Sequence, residues 1–305
     1  MHKIFITRAL MPIAKELLIQ HFTIEENPLD QPLSRDELKR AFQECDGILS
    51  TIPDKIDKEI LEHTKKLRVI SNCAAGLDNI DVAAAEAKKI TVFNVPDATT
   101  QSTADLTFAI LLSLIRQVGA AKEFVKLGRW RGWEPALFLG EELEGKNFGI
   151  LGYGKIGQAV ARRALGFGLN VLVYARKPIE DRGVKQVSLE ELYQKSDYLS
   201  IHLPLTPETL GMIDIKALKQ MTRKPIVINM ARGGIIKTDD LVTALMENVI
   251  RGAALDVTDP EPINPAHPLC HMENCLILPH IGSATVECRT VMARKAAENL
   301  IRFFK

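Results

Sequence analysis

Short apolar runs alternate with helix-like stretches along almost the whole chain. The runs that read as strands are Lys3–Thr7, Gly47–Thr51, Arg68–Cys73 and Thr91–Asn94. A second series follows at Asn147–Leu151, Asn170–Tyr174, Tyr198–His202, Pro225–Asn229, Gly252–Leu255 and Leu276–Leu278. Helical patterns lie between most of them, so βαβ units and parallel sheets are predicted. Two series predict two α/β domains of Rossmann-like or flavodoxin-like type. Between the series, Thr103 to Leu127 reads as one long helix, with only Gly119 as a weak point. At 1.5 Å per residue it would reach roughly 37 Å, enough to cross between domains. A loop-like segment, Gly128 to Pro135, then holds both tryptophans, and Ala284 to Phe304 is helical in pattern.

A length of 305 residues fits two domains. Lys and Arg total 39 against 38 for Asp and Glu, a formal charge of +1. A nucleic-acid or anionic-membrane partner calls for a basic excess or run, and neither is present. The longest mostly apolar stretch, Leu106 to Ile115, is half of what a bilayer span needs. Arg8 interrupts what would be the apolar region of a signal peptide. Five cysteines scattered from Cys45 to Cys288 make no disulfide framework, and no metal-ligand spacing appears. A reduced, cytoplasmic setting without a metal is expected.

The second series opens on Phe148-Gly-Ile-Leu-Gly152-Tyr-Gly154-Lys155-Ile156-Gly157, a GxGxxG between a strand and the helix Ile156–Leu165. Gly152 allows the tight turn, Gly154 lets the backbone approach a pyrophosphate, and Gly157 lets helix and sheet pack closely. The helix N-terminus then faces the phosphates. An NAD site expects an acid about 20 residues on, accepting from the ribose 2′-hydroxyl. Here Ala175 lies 18 residues past Gly157, and Arg176 and Lys177 follow it. A cation pair suits a 2′-phosphate, so NADP(H) is expected in preference to NAD(H), which stays possible.

Three later motifs each follow a strand. Met230-Ala231-Arg232 supplies a guanidinium, Asp256 and Glu261 supply carboxylates, and His280-Ile-Gly282-Ser283 supplies an imidazole. In a doubly wound sheet such strand ends line the ligand crevice. Reduction of a 2-oxo acid needs a hydride, a proton for the developing alkoxide and a cation for the carboxylate. His280 can give the proton, and Glu261 can orient its ring and favour the protonated form. Arg232 can offer a planar fork. Of the other histidines, His202 ends a strand and reads as a cofactor-wall or packing residue.

With these residues in view, the chain resembles the D-isomer-specific 2-hydroxyacid dehydrogenase family, and within it the glyoxylate/hydroxypyruvate reductases. Arg232 precedes Glu261 by 29 residues and Glu261 precedes His280 by 19, as in the family's Arg, Glu and His. The segments Asn72-Cys-Ala-Ala75-Gly76-Leu-Asp78-Asn-Ile-Asp81 and Leu203-Pro204-Leu-Thr-Pro-Glu-Thr209 fit as well. The resemblance implies that backbone amides of Ala75 and Gly76 hold the substrate carboxylate together with Arg232. It implies that Asp256, Met230 and Ala231 lie beside the nicotinamide carboxamide. Leu203, Pro204 and Thr209 would border the adenosine half, and Thr103, Gly282 and Ser283 would join the cofactor set. Residues 1–97 and 285–305 would form the substrate domain, with a cofactor domain and dimerisation arm, 98–284, inserted in it.

The resemblance further implies a homodimer acting on a small 2-oxo or 2-hydroxy acid, with Trp133 reaching the partner's pocket. Where the family usually has Thr-Ala-Glu at the start of the long helix, this chain has Thr103-Ala104-Asp105, and either acid could satisfy nearby amides. Competing expectations are an NAD-dependent D-2-hydroxyacid dehydrogenase, including a short 3-phosphoglycerate dehydrogenase, and a dinucleotide-sensing corepressor.

Overall fold

A computed structural model describes residues 1–29 and 31–305. Its first elements are β1 (Lys3–Ile6), α1 (Ile13–Leu18), β2 (Thr23–Glu26), α2 (Arg35–Glu44), β3 (Gly47–Ser50), α3 (Lys58–Glu62), β4 (Val69–Asn72), α4 (Val82–Ala87) and β5 (Thr91–Phe93). Next come α5 (Thr100–Ile115), α6 (Val118–Lys126), β6 (Asn147–Leu151), α7 (Lys155–Gly166), β7 (Asn170–Tyr174), β8 (Val184–Gln186), α8 (Leu189–Lys195) and β9 (Tyr198–Ile201). The chain closes with α9 (Ile215–Lys219), β10 (Ile226–Asn229), α10 (Thr238–Met246), β11 (Gly252–Leu255), β12 (Cys275–Ile277) and α11 (Val286–Phe304). Two compact units result, Met1–Thr99 with Ser283–Lys305, and Thr100–Gly282.

The first unit is a parallel sheet in the order β2-β1-β3-β4-β5. Successive strand residues point to opposite faces. Ile4, Ile6, Leu49 and Val69 therefore join α1 and α11 in one core. Phe5, Ile48 and Ile70 join α2, α3 and α4 in the other. Helix α2 starts on a capping box, with Ser34 accepting from the Glu37 amide and Glu37 reaching back to Ser34.

The second unit is a seven-stranded parallel sheet, β12-β11-β10-β9-β6-β7-β8. Its layers repeat the scheme. Phe148, Ile150, Val171 and Val173 pack on α5 and α7. Leu151, Leu172, Leu199, Val227 and Leu255 pack on α8, α9 and α10. Strand order reverses between β6 and β9, so the connections that follow these two strands leave the sheet on opposite faces and open a crevice at their carboxyl ends.

Three expectations need correction. The long helix is two helices, bent by 60° between α5 and α6. The break sits at Gln117, whose φ of 50° is left-handed and turns the chain out of the α5 axis. Two edge strands, β2 and β8, add to those expected, with sequences Thr-Ile-Glu-Glu and Val-Lys-Gln too polar to read as apolar runs. Asp105 pairs with a guanidinium, Arg163 Nε donating at 2.7 Å, rather than with backbone amides. No single helix among the described residues is long and apolar enough to cross a membrane.

Candidate active site

The register of the second sheet aligns its strand ends. Leu151 pairs with Tyr174 and with Ile201, Ile201 with Asn229, Asn229 with Leu255, and Leu255 with Ile277. The residues just beyond this row are therefore Gly152, Ala175, His202, Met230, Asp256 and Leu278. The glycine loop, the Ala175 turn and the motifs that carry Arg232, Glu261 and His280 thus all start from one edge.

The glycine loop is built for close approach. Gly152 has φ of +101°, and a Cβ there would stand 2.6 Å from the His202 carbonyl oxygen and 2.9 Å from Leu203. Gly154 differs. A Cβ on it would meet nothing within 4 Å, so the protein's own packing does not demand glycine at that position. A ligand lying on the N-terminus of α7, which Gly154 caps and Lys155 and Ile156 begin, does demand it. The loop thus fits a dinucleotide pyrophosphate. Beyond β7, Ala175 is half-buried while Arg176 and Lys177 are exposed.

Arg232 leaves β10 through a turn shaped by Asn229. The Asn229 side chain accepts from the Ala231 amide at 3.1 Å and donates to the Arg232 carbonyl at 2.9 Å. Arg232 Nη1 donates to the Ala231 carbonyl at 2.7 Å, and Met230 and Ala231 are buried beneath. A Cβ on Gly233 would overlap the Thr258 carbonyl, so glycine is what lets this turn lie on the loop that leads to Glu261. The Thr258 amide donates to Glu261 Oε2 at 3.4 Å.

His280 stands after β12 with φ of 55°, and its amide donates to the Asp256 carbonyl at 2.9 Å. Asp256 is 2% exposed, and its two carboxylate oxygens accept from the Ile281 and Gly282 amides, each at 2.8 Å. The turn so held aims the ring at Glu261, with Nδ1 2.6 Å from Oε1. The pair is half-exposed, His280 at 24% and Glu261 at 38%. Burial pushes the Glu261 carboxyl up, but the hydrogen bond and charge of His280, the Thr258 amide and Arg232 together hold it below its usual range. Burial raises Asp256 despite its two amide donors. His202 donates or accepts at Ser200 Oγ, 2.8 Å away, and leaves Nδ1 buried and unpaired; burial lowers it to about 3, so it is neutral at working pH.

Other expected residues have local partners. Thr103 Oγ1 donates to the Gly282 carbonyl at 3.3 Å, and Ser283 is buried. Thr209 Oγ1 donates to the Pro204 carbonyl at 2.7 Å and accepts from the Thr206 amide at 2.8 Å, which leaves little of it for a ligand. Ala75 and Gly76 belong to the first unit, where Asn94 donates to the Ala75 carbonyl at 2.7 Å and Asn72 to that of Gly76 at 3.1 Å. Trp133 is 85% exposed and Trp130 61%. Asn229 and Thr258 were not singled out from the sequence. Their only signal is a polar residue within three positions of a strand end or a functional acid.

Comparison with known proteins decides the family. The model of the D-isomer specific 2-hydroxyacid dehydrogenase NAD binding domain matches residues 108–282. A glyoxylate reductase of Thermococcus litoralis is 42% identical over 99% of this chain and 94% of its own. The chain belongs to the D-isomer-specific 2-hydroxyacid dehydrogenase family. Among solved structures, the NADPH-dependent glyoxylate/hydroxypyruvate reductase of Sinorhizobium meliloti, in complex with NADP and malonate, superposes with a TM-score of 0.87. It is 29% identical, and the match covers 100% of this chain and 94% of that one. D-lactate dehydrogenase of Aquifex aeolicus, with NAD and lactic acid, also gives 0.87, at 26% identity over 99% of this chain and 95% of its own. This dehydrogenase is accordingly an oxidoreductase that uses a nicotinamide dinucleotide.

Proposed function

We propose that the protein reduces small 2-oxo acids, glyoxylate and hydroxypyruvate foremost, to D-2-hydroxy acids, drawing on NADPH in preference to NADH. The observation that carries the reaction is the 2.6 Å contact of His280 with Glu261, beside Arg232, on the edge that also bears the glycine loop. The substrate class draws support from the glyoxylate reductase relatives. The cofactor preference rests on Ala175, where no acid meets the ribose, followed by Arg176 and Lys177.

The bound nicotinamide supplies a hydride. His280 engages Glu261 through Nδ1, so the Nε2 proton is the one left for the carbonyl oxygen as it gains charge. Glu261, ionised, stabilises the imidazolium before transfer. Arg232 pairs with the substrate carboxylate, its fork steadied by the contact of Nη1 with the Ala231 carbonyl. Ala75 and Gly76 are assigned to the same carboxylate on the family resemblance. Gly152, Gly154, Lys155, Ile156 and Gly157 would hold the pyrophosphate, and Leu203, Pro204 and Thr209 would flank the adenosine. Thr103, Met230, Ala231, Asp256, Gly282 and Ser283 would take the nicotinamide end. Asp256 acts there as the brace of the His280 turn.

A homodimer in the cytoplasm completes the reading. Val118, Val125, Leu127, Trp130, Trp133 and Leu139 are exposed apolar side chains on the arm, a surface that a second copy would cover. The deciding experiment is an assay with NADPH and NADH against glyoxylate, hydroxypyruvate, pyruvate and 3-phosphohydroxypyruvate. Fastest turnover of the first two with NADPH is expected. A clear NADH preference removes the cofactor reading, and a preference for 3-phosphohydroxypyruvate removes the substrate one.

A further inference from the structure

Gln186 closes the edge strand β8, opposite Val173 of β7, and its side chain is spent entirely on one neighbour. Nε2 donates to the Ala175 carbonyl at 2.9 Å and to the Lys177 carbonyl at 3.0 Å. Oε1 accepts from the Ile179 amide at 3.0 Å. Both donors and the acceptor of the amide are thus used, and turning the amide over would set its oxygen against two carbonyls. Three bonds tie down the backbone of the turn that carries Arg176 and Lys177. Beyond the turn, Tyr153 of the glycine loop donates to Asp181 at 2.6 Å and holds the following loop to the pyrophosphate side. The two cations themselves make no hydrogen bond or close ion pair among the described residues.

We propose that Gln186 is a positioning residue for cofactor choice: it fixes the backbone from which Arg176 and Lys177 reach a 2′-phosphate. This rests on the NADP reading above. A long cation that docks from a fixed backbone loses only side-chain freedom, whereas one on a loose turn must also order its main chain, at a further cost for each residue. The contribution therefore falls on ligands that carry the 2′-phosphate and spares those that lack it. Gln186 is exposed, so water can replace its bonds and the fold survives its loss.

The test compares binding of 2′,5′-ADP and 5′-AMP by calorimetry in the parent, Gln186→Ala and Gln186→Glu, with melting temperature as the check on folding. Gln186→Glu keeps the length and the acceptor but lacks both donors. In each variant the affinity for 2′,5′-ADP is expected to fall about tenfold, with that for 5′-AMP within about twofold. In turnover, KM for NADPH rises while kcat and KM for NADH hold. A parent that prefers 2′,5′-ADP, together with variants that keep its ratio, overturns the role of Gln186 alone. A parent that does not distinguish the two nucleotides overturns the NADP reading itself and this role with it.

Discussion

The two sheets are built alike and finish differently. Both are parallel, and both are covered on two faces. In the first unit the ends of β3 and β4 hold neutral amides and hydroxyls bonded to one another, while a cation, Arg8, follows β1. Ser50 donates to Asn72, Asn72 to Asn79 and to the Gly76 carbonyl, and Asn79 to the carbonyls of Thr51 and Asp54. Among the described residues one carboxylate of this unit is buried, Asp54, and burial raises it although Thr7 and Thr51 donate to it. In the second unit the ends hold Arg232, Glu261 and His280, half-exposed and coupled. One scaffold thus yields an edge of bonded amides and an edge that gathers a titratable pair beside a guanidinium. The difference lies in the loops that follow the strands, from three residues on at Arg232 and His280 to six at Glu261.

Four substitutions sharpen or break that contrast. The largest effect is expected from His280→Ala, with kcat lowered by roughly 10²- to 10⁴-fold in steady-state assays. Turnover close to the parent's would mean that the charged edge is not the proton source. Arg232→Ala should raise KM for glyoxylate by about 10- to 100-fold, the worth of one charged hydrogen-bonded pair; an unchanged KM would take Arg232 off the carboxylate.

Glu261→Gln should act through pH. In the parent this carboxyl is held below its usual range, so it is ionised at neutral pH and faces His280 Nδ1 with its charge. Without the charge, the pH above which reduction fails should move down, and a profile that stays in place would show that the pair is structural only. The smallest catalytic effect belongs to the neutral edge. Asn72→Ala should leave kcat nearly intact while lowering stability by about 1–3 kcal/mol in urea unfolding, since it strands buried partners. A large loss of kcat with normal stability would erase the distinction between the two edges.

Most of the sheet framework was legible because parallel strands buried on both faces are near-continuous apolar runs. Gly47-Ile-Leu-Ser50 and Tyr198-Leu-Ser-Ile201 are buried throughout, and both stand out from their flanks. The strands β2 and β8 lie at sheet edges, bury one face at most, and carry Glu25, Glu26 and Lys185. The bend at Gln117 was hidden because apolar periodicity continues on either side of one left-handed residue. Arg232, Glu261 and His280 were visible as polar residues after apolar runs, and the fold gathers them. Gln186 and Asn229 were not, because each works on backbone groups, and Thr258 was not, because it reaches Glu261 through its own amide; a bond made by the main chain leaves no side-chain pair to notice.

Helix α11 supplies Cys288, Met292, Ala293, Ala296, Ala297 and Leu300 to the same core as Ile4, Ala14 and Leu18. Synthesis therefore runs out of step with folding. The segment Thr100–Gly282 holds all of its own unit and can condense as soon as it has left the ribosome. The 99 residues made before it must wait, with one face of their sheet covered by α1 but not by α11, until residues 283–305 arrive. During that interval Leu49 and Val69, on the two strands that α11 covers, lack that part of their core, so the unit begun first is the one finished last.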